Sequence, residues 1–328
     1  MGRPEDWAFV SGWVSARAER LMDRRAILAL LDAGGPEEVA LRLRSSLLFA
    51  EASGVPLADQ ADRGFAAIAT EIAAMAPDRR IGDLFLMDRR WHRFREFAKA
   101  TLAGEGDALA RRSARPSAET ELLRECWEGR TEDERLRPFV RAAEAVRAAA
   151  AVEDLPGLVD RVCDAHEASA LVATAGMLDG ERLFEWVTDW VRLRGALAFF
   201  RARRLGWNVA AVLEPWRAVG LDSPELMGVA LGKDDELISA WERLGVAGAR
   251  ELVGAGPSGG DDVLVRLARR IESAIEGRIA QAQGIPFGPE RVFEFLWRLR
   301  REATAVKIVL ASLACGMPKE KAAADLFG

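Results

Sequence analysis

Residues Phe287 to Met317 read FGPERVFEFLWRLRREATAVKIVLASLACGM. Gly288-Pro289-Glu290 is a helix start, because proline fits the first helical turn and an acid there meets the positive end of the helix dipole. From there Val292, Leu296, Leu299, Ala303, Val306, Leu310, Leu313 and Met317 recur alternately four and three residues apart, which puts them on one side of a helix. Gly316 and Pro318 end it. Such a helix is roughly 37 Å long at 1.5 Å per residue, and its apolar stripe requires other helices to cover it.

The rest of the chain keeps that character. Trp7, Val10, Trp13, Val14 and Leu21 lie at helical spacing, Asp23 caps a short helix from Ala26 to Leu31, and Pro36-Glu37-Glu38 starts another that carries Val39, Leu43, Leu47 and Leu48 inward. From Ala58 on, helical stretches alternate with breakers, and nowhere does a period of two with β-branched enrichment announce a sheet. The chain therefore reads as all-α. At 328 residues it is long enough for two or three domains.

Composition excludes several classes of function. Basic and acidic residues number 46 and 51, a net charge of −5, which gives no bulk attraction for nucleic acid. Cys126, Cys163 and Cys315 are too scattered for a disulfide framework and fit a reducing compartment. No run approaches the 18 or so apolar residues of a membrane span, and Glu5 and Asp6 interrupt any signal-peptide pattern. A cytoplasmic location is expected.

An internal echo organises the chain. Leu84–Gly106 and Leu183–Trp207 can be laid on Val292–Met317: each opens on aliphatic-Phe, passes through a tryptophan-bearing turn, and reaches an apolar residue followed by a base. The aligned pairs are Phe94-Arg95, Leu193-Arg194 and Val306-Lys307. Three similar helical domains follow, at 1–110, 111–215 and 216–328, with linkers near Gly104–Ser117 and Asn208–Pro224 and a helix start at Asp222-Ser223-Pro224-Glu225. If the three domains close around an axis, inward-facing equivalents form a ring, so Arg95, Arg194 and Lys307 are candidate partner-binding bases for an acidic ligand. The alternative pairs each base with an acid of its own domain, such as Asp189 or Glu302.

Other motifs carry less. Gly254-Ala255-Gly256-Pro257-Ser258-Gly259 imitates a dinucleotide fingerprint, but polar Gly248–Glu251 precedes it where a buried strand is needed, and Asp261-Asp262 would repel a phosphate. His166-Glu167 begins like a zinc-protease signature and continues without a second histidine; His92 has no metal partner at i+4 either. Asp234-Asp235-Glu236 reads as a helix start, not a magnesium site. Trp186, Trp190 and Trp297 fall on apolar stripes and read as core. The basic run Arg79, Arg80, Arg89, Arg90, Arg93, Arg95 and Lys99 reads as a solvated face. No catalytic residue, cofactor site or metal site is expected.

The end helix, with Phe287-Gly288-Pro289-Glu290, Arg301-Glu302, Ala305–Leu310 and Gly316-Met317-Pro318, resembles the C-terminal helix of the funnel-shaped central-stalk component of V/A-type rotary ATPases, the C-type component (d-type in eukaryotes). Glu302, Val306 and Lys307 match the family's pattern. Trp7, Phe9 and Phe49 stand in regions where the family has tyrosine. Arg93, Arg192 and Ala305 stand where an asparagine is usual, which marks a divergent, bacterial-type member. The resemblance implies a funnel of three helical domains that sits on the membrane proteolipid ring at its cytoplasmic face and receives the D–F central stalk. It implies a rotor part in ion transport with no catalysis of its own. The alternative is a three-domain helical scaffold or adaptor with other partners.

Overall fold

Among the described residues, prolines at helix starts and left-handed glycines past helix ends punctuate the chain, with Pro215 the exception inside a helix. The computed structural model describes residues 4–49, 55–104, 118–151, 157–221, 234–254 and 260–327, and among these no strand occurs. The helices are α1 (Ala8–Ala18), α2 (Arg24–Leu30), α3 (Pro36–Leu43), α4 (Leu57–Met75), α5 (Arg80–Leu102), α6 (Ala118–Glu128), α7 (Arg137–Ala150) and α8 (Leu158–Gly176). Next come α9 (Glu181–Arg204), α10 (Val209–Ala218), α11 (Asp234–Arg243), α12 (Ala249–Gly254), α13 (Gly260–Ile279), α14 (Pro289–Ala314) and α15 (Lys319–Phe327). The all-α reading holds. The three stretches of the echo coincide with α5, α9 and α14, the longest helices among the described residues at 23, 24 and 26 residues.

The chain divides into two compact units. The first comprises Met1–Leu86, Ala175–Trp190 and Glu242–Gly328; the second comprises Met87–Thr174 and Val191–Trp241. These boundaries differ from the sequence thirds at 110 and 215. The physical reason lies in α14: the short N-terminal helices cannot close a core by themselves, and the end helix supplies the apolar surface that they cover.

In the first unit α14 packs against α1, α2, α3, α4, α13 and α15. Its first turns are buried all round, from Val292 through Phe293, Glu294, Phe295 and Leu296 to Trp297, as expected of a helix surrounded by others. The stripe inferred from the sequence is buried as far as Val306, whereas Leu310, Leu313 and Met317 are only half-buried. Val309 and Ser312 are buried in their place. A four-and-three repeat drifts around a straight helix of about 3.6 residues per turn, so the far end of the stripe turns away from the face that is covered. Pro289 occupies the first turn, and Gly316 with φ of 61° ends the helix in the left-handed region.

Aromatic rings pack against one another around that helix. Phe293 lies 4.9 Å from Phe85, 6.3 Å from Trp186 and 6.1 Å from Trp297, and Trp13 meets Phe295 edge-on at 6.3 Å. The N-terminal expectations also hold: Trp7, Val10, Val14, Leu21, Val39, Leu43, Leu47 and Leu48 are buried, and the Asp23 carboxylate accepts from the Ala26 N–H at 2.7 Å. Helix α4 comes so close to its neighbours that a Cβ on Gly64 would sit 2.1 Å from the Leu48 carbonyl oxygen.

The second unit has its own core. Phe139 of α7 stacks on Trp91 at 4.4 Å and meets Phe94 at 5.5 Å, with Trp127 and Phe97 beside them. Phe199 packs edge-on against Trp216 of α10, and Phe200 against Trp241 of α11. Helix α10 corrects the linker expected from Asn208 onward. The Asn208 side chain accepts from the Ala210 N–H at 3.0 Å and caps the helix, while Val212, Leu213 and Trp216 bury its inner face. The expected linker from 105 to 117 and the helix start at Asp222–Glu225 lie outside the described residues.

Candidate partner-binding site

Helix α8 carries Asp160, Asp164 and Glu167 at i, i+4 and i+7, so one face of it is a row of carboxylates. Helix α5 answers that row in the second unit. Lys99 reaches Asp160 at 2.7 Å, and Arg95 reaches Asp164 at 2.7 Å and Glu167 at 2.5 Å. Because the higher number on one helix meets the lower number on the other, α5 and α8 run antiparallel here. Arg194 of α9 comes to the same Glu167, with its guanidinium 3.7 Å from the other carboxylate oxygen. Two of the three aligned bases thus converge on one buried acid.

Glu167 is 1% exposed. Burial pushes its carboxyl above the usual range, against the pull of Arg194 and Arg95. Burial also works against the charge of Arg95, but Glu167 and Asp164 more than offset it and hold the guanidinium firmly protonated. A space of about 40 Å³ adjoins the cluster, lined by Asp164, Glu167, Leu171, Val191, Arg194 and Trp216.

Lys307 lies in the first unit, where its ammonium contacts Asp62 of α4 at 2.8 Å. Asp189 pairs with Arg278. Glu302, expected beside Lys307, instead accepts from the Ser46 hydroxyl at 2.6 Å and from the Met22 N–H at 2.9 Å. All three aligned bases follow a buried apolar residue, Phe94, Leu193 or Val306, and all three meet an acid on another helix. Their side chains are 15%, 40% and 40% exposed respectively, so Arg194 and Lys307 keep more surface for an external acid than Arg95 does. Ala305 is buried, while burial and the neighbouring Arg89 push the pKa of the Arg93 guanidinium down.

Burial keeps two of the three cysteines and one of the two histidines in their neutral forms. Burial pushes the Cys163 thiol up to about 12 and the Cys126 thiol up to about 11, so neither is a thiolate at neutral pH. His166 is pushed down to about 4, by burial first and by Arg141 second, and stays neutral. Among the described residues no group of His, Cys, Asp or Glu has the arrangement of a metal site, and no helix is long and apolar enough to cross a membrane. Residues Ala249–Gly254 ahead of the glycine-rich loop are helical, so the strand a dinucleotide fingerprint requires is not there; residues 255–259 of the loop lie outside the described residues.

Sequence reasoning missed Glu167 as a hub and treated it only as half of a false zinc signature. The i, i+4, i+7 row of acids was the signal that pointed to it. It also missed a charged cavity in the first unit, because its walls come from α2, α13, α14 and α15, far apart in the chain.

No protein-family model matches the chain, and no curated protein matches it.

Proposed function

We propose that this protein is a non-catalytic central-stalk component of a V/A-type rotary ATPase, a socket that couples the D–F stalk to the proteolipid ring on the cytoplasmic face of a membrane. The observation that carries the reading is the identity of the three longest helices with the three echoed stretches, each bearing a buried apolar residue followed by a base. That is the pattern expected of a protein built by repetition of one helical domain into a pseudo-three-fold funnel. The close packing of the N-terminal helices on α14 joins the two stretches on which the family resemblance rests. Packed long helices also give the stiffness that torque transfer needs. In this reading Arg194 and Lys307 offer charge to an acidic stalk, with Arg95 held inside.

The test is a titration of the protein against the D–F complex of the same organism, with the proteolipid ring in detergent as second titrant. Simultaneous binding of both is expected. Binding of neither would leave the helical fold in place and favour the scaffold reading.

A further inference from the structure

A cavity of about 520 Å³ opens in the first unit among α2, α13, α14 and α15. That volume falls within the range of small-molecule sites. Its apolar lining includes Ile27, Val265, Ala268, Ile308 and Leu326, and its charged lining includes four arginines and four acids. Val265 is 43% exposed.

Each acid already has a cationic or hydrogen-bonding neighbour. Glu272 and Glu276 take Arg301, Asp325 takes Arg269 at 3.0 Å, and Glu302 takes the Ser46 hydroxyl and the Met22 N–H. The remaining two arginines are differently placed. Among the described residues Arg24 meets no carboxylate; its guanidinium lies over the Phe327 ring at 4.8 Å. Arg298 makes one long contact, 3.4 Å to Glu294, its charge also acts on Glu302, and its side chain is 33% exposed. A cavity whose acids are paired and whose available charge is cationic selects an anion, and its apolar wall selects a chain attached to that anion.

We propose that this cavity binds a small amphiphilic oxyanion, with the head on Arg24 and Arg298 and the apolar chain against Ile27, Val265 and Leu326. A guanidinium fork donates to carboxylate and phosphate alike, so the head group is for experiment to assign. The site stands on its own geometry and does not depend on the rotor reading.

Calorimetric titration below the micelle-forming concentration tests it, with decanoate, decyl phosphate and decyltrimethylammonium as the three probes. One or both anions should bind at least tenfold more tightly than the cation, and the tighter anion names the head group. Arg24→Glu and Val265→Glu should each weaken that binding at least tenfold, and Arg24→Lys should retain most of it. Arg24 and Val265 are exposed, and an unchanged thermal melt certifies each variant as folded. Equal binding of anions and cation, no binding of any probe, or full affinity in folded Arg24→Glu would overturn the site.

Discussion

The Ser46 hydroxyl donates to the Glu302 carboxylate at 2.6 Å and joins residues 256 positions apart. Glu302 is 2% exposed, and its second oxygen accepts from the Met22 N–H. The N-terminal helices and the end helix are therefore tied at a buried, charge-assisted hydrogen bond as well as by apolar packing. Ser46→Ala should cost about 1 to 3 kcal/mol in denaturant unfolding, because it leaves a buried carboxylate short of a donor.

The same acid sets a pH dependence. Burial raises its pKa from 4.5, against the opposing hydrogen bonds of Ser46 and Met22 and the charge of Arg298. A carboxyl with a raised native pKa binds more protons folded than unfolded, so its contribution to stability is full at low pH and declines as pH rises through the folded value. Glu302→Gln removes the titration and keeps an acceptor. The stability of the variant relative to the natural protein should rise from pH 4.5 upward and level off above the native pKa. A constant difference across pH would show that Glu302 is not shifted.

Arg95 and Arg194 share Glu167 unequally. Arg95→Met removes the close partner of a buried acid and should destabilise by about 3 to 5 kcal/mol. Arg194→Gln removes a contact at 3.7 Å from a side chain 40% exposed, and should cost less than the loss of Arg95, which makes the close hydrogen bond. Equal losses in chemical denaturation would mean that both arginines bear on Glu167 alike.

His166 acts in the opposite direction from Glu302. Its pKa falls from 6.5 to about 4, so the unfolded chain binds the extra proton and stability is lost as pH falls from 6.5 through 4. The loss is of the order of 2 kcal/mol after allowance for its partial exposure. Imidazole resonances followed by NMR should titrate near 4. His166→Asn should flatten the melting profile in that window relative to the natural protein.

Gly64→Ala tests the closeness of α4 to the Leu47–Phe49 turn. The new methyl would stand 2.1 Å from the Leu48 carbonyl oxygen, 2.8 Å from its carbon and 2.9 Å from its Cα. Backbone must move, at a cost of about 3 kcal/mol or more, although alanine is the better helix former. A thermal midpoint at or above that of the natural protein would contradict the packing.

What could be read along the chain was local. The Pro289 helix start, the Asp23 cap and the burial of Val39, Leu43 and Val306 follow from spacing and end chemistry within a few turns. Asn208 reads as the start of a linker because the middle stretch of the echo ends at Trp207, and only the packing of Trp216 against Phe199 shows what α10 buries. Leu310 and Leu313 illustrate the same limit: periodicity places them on the stripe, but the direction of the covering helices decides how much water they lose.

Sequence by itself determined the helical class, the ends of α14 and the apolar-then-base pairs at 94–95, 193–194 and 306–307, since helix periodicity and capping act over a handful of neighbouring residues. Tertiary structure alone decided that Arg95 and Arg194 share Glu167, that Glu302 binds Ser46 and Met22, and that Arg24 and Arg298 line one cavity. Those pairings depend on where separate helices come to rest. A carboxylate's partner is set by distances of a few ångströms between elements, and the order of residues does not encode such distances one at a time.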